Sequence, residues 1–219
     1  MDDAEWALRD KVVTACRAMS DLGINQGTSG NISVRCGDKM LISPSATPYD
    51  DMTPEMVAEM PFDGEYGTWS GPLKPSTEWR FHLDILAERA DMNAVVHAHP
   101  TYCTSLAITR REIPACHYMV AAFGGTTVRC AGYARYGTAE LSSLALKALE
   151  GRSACLLANH GMITMGESLE KAMWRAVELE TLARQYYHAL QLGDVVILSD
   201  AEIAEVQEAF GSYGLGDND

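Results

Sequence analysis

His97 and His99 stand two apart in the stretch NAVVHAHP, residues 93–100, behind two β-branched residues and just before a proline. In a β-strand successive side chains alternate faces, so both imidazoles would point to one side, with Ala98 on the other. Two rings at the end of a strand can converge on one ion, and Pro100 marks that end. Histidine nitrogens bind zinc at roughly 2.0–2.1 Å, and catalytic zinc sites generally use three protein ligands. The same pair would equally serve as two hydrogen-bonding side chains on a polar strand face.

A third nitrogen is offered by His160 in LLANHGMIT, where an apolar strand runs into an Asn-His-Gly turn. Gly161 would free the backbone to present the imidazole at a sheet edge. An ordinary turn histidine would look the same. Glu78 lies in the first turn of an expected helix, where the positive end of the dipole favours a carboxylate, with or without a catalytic role. The loop NQGTSGNIS, residues 25–33, combines small donors with glycines, a composition suited to wrapping an oxyanion with backbone N–H groups. It contains neither GK[ST] nor GxGxxG, and turn chemistry before a strand explains it as well. Ser76 and Thr77, at a helix start, offer further donors for a phosphate. His82 and His188 are assigned to packing or surface, and His117 receives no role.

These residues need elements to hold them. Apolar positions Trp6, Val12, Val13, Cys16, Met19 and Leu22 recur at helical spacing, with Gly23 as a stop. NISVR and KMLIS flank CGD as a hairpin, and MVAEM with the TW after PFDGEYG reads as a second short strand pair. STEWRFHLDILAERA is a helix with Ser76 as N-cap. NAVVHAH is a strand, TYCTSLAIT a short helix, TTVRCA a strand and TAELSSLALKALEG a helix. ACLLANHGMITMG gives two strands broken at residues 159–161. The longest helix runs from SLEKAMW to Gly193, and SDAEIAEVQEAF is a final serine-capped helix. With no repeat or linker, the 219 residues read as one α/β or α+β domain with helices on the faces of a sheet.

Composition removes other classes of function. A net charge of −13 and scattered Lys and Arg argue against nucleic acid, whose phosphates demand clustered cations. An anionic ligand would have to be held by local donors against an unfavourable overall field. Six cysteines without a CxxC fit small buried thiols rather than a disulfide framework or zinc knuckle. The acidic start MDDAEWALRD does not read as a signal peptide, and no apolar run reaches the roughly 18 residues of a membrane span. A reducing cytoplasm is the expectation.

Taken as a set, LGINQGTSGNISVR, PSTEWRFH, AVVHAHP, IPACHYMVAA, CAGYARYGTAELS, LLANHGMI and LSDAEIAEVQEAFGSYGL resemble the class II aldolase/adducin superfamily, most closely its L-fuculose-1-phosphate aldolases. The likeness covers nearly the whole chain, and TEWRFH followed by HxH and then NHG is specific as a combination. It implies a three-layer αβα sandwich around a central, mostly antiparallel sheet, with residues 1–219 as one domain and residues 211–219 as a mobile tail. It also implies that His97, His99, His160 and Glu78 hold one divalent ion per subunit, zinc first with manganese or cobalt as alternatives. Glu78 would be the proton-transferring carboxylate. Thr28, Gly30, Asn31, Ser45, Ala46, Ser76 and Thr77 would line a phosphate site. Tyr118 would act from a neighbouring subunit of a homotetramer on the aldehyde oxygen, with Tyr136, Phe210 and Tyr213 on the aldehyde side. The implied activity is reversible cleavage of a phosphorylated ketose to dihydroxyacetone phosphate and a small aldehyde.

Three positions depart from the fuculose-phosphate pattern. Ala46 replaces a glycine, Tyr136 replaces an aromatic without a hydroxyl, and Gly216 stands where an arginine follows YGL. These changes leave the metal and phosphate ends intact and suit a less polar far end, as in 5-deoxyribulose or 5-methylthioribulose 1-phosphate. A ribulose-phosphate 4-epimerase shares the scaffold but usually carries aspartate in place of Glu78. A non-catalytic adducin-like binding module would lack the metal histidines.

Overall fold

Alternating hydrophobicity and its consequences organise the molecule. In the computed structural model, which describes residues 2–212, nine strands and six α-helices follow one another among the described residues. The strands are β1 (Asn31–Cys36), β2 (Lys39–Ile42), β3 (Ala58–Pro61), β4 (Ala94–Ala98), β5 (Ile113–Pro114), β6 (Thr127–Val128), β7 (Cys130–Ala131), β8 (Ala154–Leu157) and β9 (Gly161–Gly166). The helices are α1 (Asp3–Asp21), α2 (Trp79–Glu88), α3 (Thr101–Ile108), α4 (Ala139–Leu149), α5 (Leu169–Leu192) and α6 (Asp200–Ser212). Residues 213–219, including Tyr213 and Gly216, lie outside the described residues, as does the side chain of Ser212.

Seven strands form one sheet in the order β3-β2-β1-β4-β9-β8-β7. All neighbours are antiparallel except β7 and β8, which run parallel, so the sheet is mixed rather than purely antiparallel. Along β4 the side chains alternate. Ala94, Val96 and Ala98 enter a core beneath α1, α3 and α5, while Val95 enters a second core beneath α2 and α4. His97 shares the second face, as the two-residue period requires. Both faces are covered, giving the three layers of an αβα sandwich.

Helix boundaries follow local chemistry. Ser168 accepts from Lys171 N–H at the start of α5, and Gly193, at φ 133°, ends that helix. At α6, Ser199 Oγ accepts from Glu202 N–H while the Glu202 carboxylate accepts from Ser199 N–H at 2.7 Å, a reciprocal cap. Two expectations need correction. TTVRCA is not one strand: it divides at Arg129, so that β6 pairs with β5 in a separate two-stranded sheet and β7 pairs with β8. Helix α2 begins at Trp79 rather than after a Ser76 cap, because residues 76–78 form a tight turn in which Trp79 N–H donates to Ser76 C=O. Glu78 therefore occupies the cap position. Its side chain makes no capping bond and is free to point elsewhere.

Candidate metal centre

Strand β4 delivers His97 to the α2 side of the sheet, fully buried, and Pro100 turns the chain into α3 directly after His99. Strand β9 lies beside β4, with Ala98 opposite Met162, so the turn before β9 brings His160 to the same sheet end. The turn works differently from the sequence expectation. Asn159, not Gly161, takes the left-handed backbone, at φ 54°. Gly161 is required for space: a Cβ there would lie 2.5 Å from Ala98 O and 2.6 Å from His99 Cδ2.

The three imidazoles meet with mutual centroid separations of 4.8 Å. His97 Nε2 lies 2.9 Å from His99 Nε2 and 3.1 Å from Glu78 Oε2, and His160 Nε2 lies 3.2 Å from Glu78 Oε1. One ligand atom from each of the four residues falls within 4.8 Å of all the others. A tetrahedron with zinc–nitrogen spokes of 2.0–2.1 Å has edges of about 3.3 Å. The three measured contacts approach that figure, with His97 and His160 meeting different oxygens of Glu78, so the four side chains converge at a spacing one cation can bridge.

The chemistry of the donors agrees. His97 Nδ1 lies 2.8 Å from the Met162 carbonyl, which can only accept, so the proton resides on Nδ1 and the Nε2 lone pair faces the cluster. Glu78 is buried, and its Oε1 has no partner in hydrogen-bond geometry despite its nearness to His160. A buried, unpartnered carboxylate oxygen beside the inward lone pair of His97 fits a cation. Burial alone would raise the Glu78 carboxyl, but the imidazoles of His97 and His160 outweigh it and hold the group well below the usual carboxylate range. Burial, then the neighbouring His97 and His160, pushes His99 down to about 3, leaving it neutral as a ligand must be.

Glu78 is also held from the protein side. Asn31 Nδ2 donates to Glu78 Oε2 at 3.1 Å, and Asn31 Oδ1 lies 2.5 Å from Nε2 of His82. His82, assigned from sequence to packing or surface, is fully buried and hydrogen-bonded on both ring nitrogens, the second to Ser33 at 2.7 Å. His188 sits against Tyr102, and His117 accepts from Met119 N–H while its ring stacks on Tyr118.

The loop expected to bind phosphate runs beside the cluster. An antiparallel bridge between Pro44 and Pro75 lays its two supporting segments side by side, with Ser45 N–H donating to Lys74 C=O and Ser76 N–H donating to Ser43 C=O. Ser76 is buried, while Thr28, Ala46 and Thr77 are exposed. Ala46 adopts φ 52°, a left-handed conformation suited to the glycine it replaces in the family pattern. Gly30 packs so tightly that a Cβ would lie 2.8 Å from Asn25 Cγ. Asn31 lies at the end of this loop, its amide donating to Glu78 Oε2 at 3.1 Å and to Ser29 O at 3.4 Å.

Sequence reasoning missed Asn25 and Tyr49. Tyr49 donates its hydroxyl to Gly30 O at 2.7 Å and accepts from Asn25 Nδ2, while Asn25 Oδ1 accepts from His99 N–H. This chain ties the loop to a metal ligand, and nothing in the residue spacing signals it.

A cavity of about 250 Å³ opens on the cluster, lined by Thr77, Glu78, His99, Tyr133, Tyr136 and His160 among others. Tyr136 lines this cavity, and so does Tyr133, which the sequence reading did not single out. Tyr118 and Phe210 do not line it. They border a larger groove of about 1050 Å³ with Trp174, where α6 packs on the 3-10 turn Tyr118–Phe123. Among the described residues no converging ligand set lies in that groove, so the smaller cavity is the candidate site.

The Class II Aldolase and Adducin N-terminal domain family matches residues 10–187. The chain is 50% identical over 214 residues to the 5-methylthioribulose-1-phosphate/5-deoxyribulose-1-phosphate aldolase of Rhodospirillum rubrum, covering 98% of this chain and 96% of that protein. It is 47% identical over 209 residues to the L-fuculose phosphate aldolase of Escherichia coli, covering 95% and 96%. Among solved structures, an L-fuculose 1-phosphate aldolase superposes with a TM-score of 0.89 at 36% identity, covering 94% of this chain and 96% of that one.

Proposed function

The chain belongs to the class II aldolase and adducin N-terminal domain family, and we propose that it reversibly cleaves a ketose 1-phosphate to dihydroxyacetone phosphate and a small aldehyde. Its class is that of a metal-dependent aldehyde-lyase. The observation that carries the reading is the convergence of His97, His99, His160 and Glu78, with one ligand atom from each within 4.8 Å of all the others. Zinc is the ion best suited to three nitrogens and one carboxylate oxygen, and manganese and cobalt share the preference in part.

A divalent cation held there supplies Lewis acidity to a substrate carbonyl and its neighbouring hydroxyl. Thr28, Gly30, Asn31, Ser45, Ala46, Ser76 and Thr77 line the phosphate site. Cleavage of the C3–C4 bond turns the C4 hydroxyl into an aldehyde and leaves C3 one proton short. The C4 hydroxyl proton leaves by way of the partner subunit's Tyr118, whose phenol passes its own proton on to solvent as it accepts, within a homotetramer whose sites lie between subunits. Glu78, ionised at rest, takes up a proton from that solvent and delivers it to C3, so the protons balance. Tyr118 is 48% exposed beside a groove and lies away from its own chain's cavity, which supports service to a neighbour. Six unpaired thiols support a reducing cytoplasm.

The substrate has an apolar far end, as in 5-methylthioribulose or 5-deoxyribulose 1-phosphate. Supporting this are Gly216 in place of a cation and the aromatic pair Tyr133 and Tyr136 along the cavity. The test is a coupled dihydroxyacetone-phosphate assay giving kcat/KM for these two sugars and for L-fuculose 1-phosphate. A preference for either of the first two is expected. A strong fuculose preference would refute the substrate assignment, and no cleavage of any of the three would refute the activity.

A further inference from the structure

A buried line of polar side chains runs from Ser33 through His82 and Asn31 and ends on Glu78. Ser33 Oγ lies 2.7 Å from His82 Nδ1, His82 Nε2 lies 2.5 Å from Asn31 Oδ1, and Asn31 Nδ2 lies 3.1 Å from Glu78 Oε2. Building on the aldolase reading above, we propose that His82, held by Ser33, is a positioning residue: it fixes the Asn31 carboxamide and thereby the aim of the proton-transferring Glu78.

The elements make the line rigid. Asn31 and Ser33 are two apart on β1 and so share a face, and Asn31 is the register partner of His97 on β4. Glu78 and His82 are four apart where α2 begins, one helical turn from each other. His82 stacks on Phe81 at 4.7 Å, and Ser33 and His82 are fully buried.

Every direction in the line follows from the charge of Glu78. An ionised carboxylate only accepts, so Asn31 must present its NH2 to it, leaving Oδ1 toward His82. That oxygen demands an N–H, so the single proton of the neutral imidazole sits on Nε2. Nδ1 is then bare and accepts from the Ser33 hydroxyl. Burying a hydroxyl, an imidazole and a carboxamide costs free energy that a leucine core would avoid, unless all are bonded. Here all are bonded, and the line ends at the one residue whose direction the reaction needs. With His82 removed, Asn31 can rotate and present its oxygen to Glu78, turning the carboxylate away.

The experiment uses metal-loaded enzyme and cobalt-substituted protein, with His82→Leu, His82→Gln, Ser33→Ala and a cycle with Asn31→Ala. Glutamine places an N–H near the Nε2 position and is the rescuing variant. His82→Leu is expected to lower kcat about tenfold, with KM within about twofold, and to alter the cobalt d–d absorption. His82→Gln should recover most of both. In an Asn31→Ala background His82→Leu should add little further loss, because the mediator is gone. Unchanged kcat in His82→Leu, failure of glutamine to rescue, or a loss that simply adds to that of Asn31→Ala overturns the proposal. If His82→Leu does not fold, Ser33→Ala decides: a fall in kcat at constant KM supports the line, and wild-type kcat overturns it. If the wild type cleaves no ketose 1-phosphate, the activity assignment fails separately. The cobalt spectrum then decides the line: a change in the variant supports it, and a wild-type spectrum overturns it.

Discussion

His82 makes the protein acid-sensitive by an amount that can be worked out. Burial first, and then the neighbouring His97, pushes its folded-state pKa down to about 3, against 6.5 for a free histidine, with Glu78 opposing. The unfolded chain therefore binds a proton that the folded chain refuses. The stability held by keeping this ring neutral is fully present above pH 6.5 and is lost as the pH falls from there toward 3. At pH 4.5 the loss is two pH units, or about 3 kcal/mol, since one unit is worth about 1.4 kcal/mol. The assay is urea unfolding of chelated wild type and His82→Gln at one fixed protein concentration, at pH values from 7.5 to 4.5. Chelation removes metal linkage, and His99 and the carboxylates contribute equally to both proteins. The wild type should lose about 3 kcal/mol more than the variant across that range. Equal pH slopes would show that His82 takes up its proton in the folded state, and the reasoning from burial would be wrong.

Chelation should abolish cleavage and lower the melting temperature, and added divalent ion should restore both, since a ligand that binds only the folded state stabilises it. Glu78→Gln should keep the melting temperature within a few degrees while reducing kcat by about 10² to 10⁴, the usual worth of a positioned proton carrier. Turnover near wild type would reassign that role. Gly161→Ala places its Cβ against backbone at Ala98 and the ring of His99. It should cost about 1–3 kcal/mol of stability and weaken metal binding by about tenfold or more, measured by unfolding and by competition with a chromophoric chelator. Metal affinity equal to wild type would show that the His99 ring can move aside without consequence.

Much of this site is written in local pattern. The two-residue period of VVHAHP puts His97 and His99 on one side, and it carries over to His99 although β4 itself ends at Ala98. The serine caps at Ser168 and Ser199 and the stop at Gly193 are chemistry within one turn of helix, and they appear where the residues announce them. Even the start of α2 is displaced by only two residues, although the displacement matters: it takes Glu78 out of the helix and into the cluster.

What local pattern leaves open is which distant residues meet. The pairing of β4 with β9 brings His160 to His99 across some sixty positions, and only the order of strands in the sheet decides that. The same holds for the line from Ser33 to Glu78 and for the tie from Tyr49 through Asn25 to His99. Hydrogen bonds between buried side chains depend on rotamers and on closure of both cores, and a sequence period carries neither. The residue types thus determined which atoms could bind a cation and on which face they lie. The sheet order and the packing of α2 decided that those atoms converge, and that a carboxylate is held beside them.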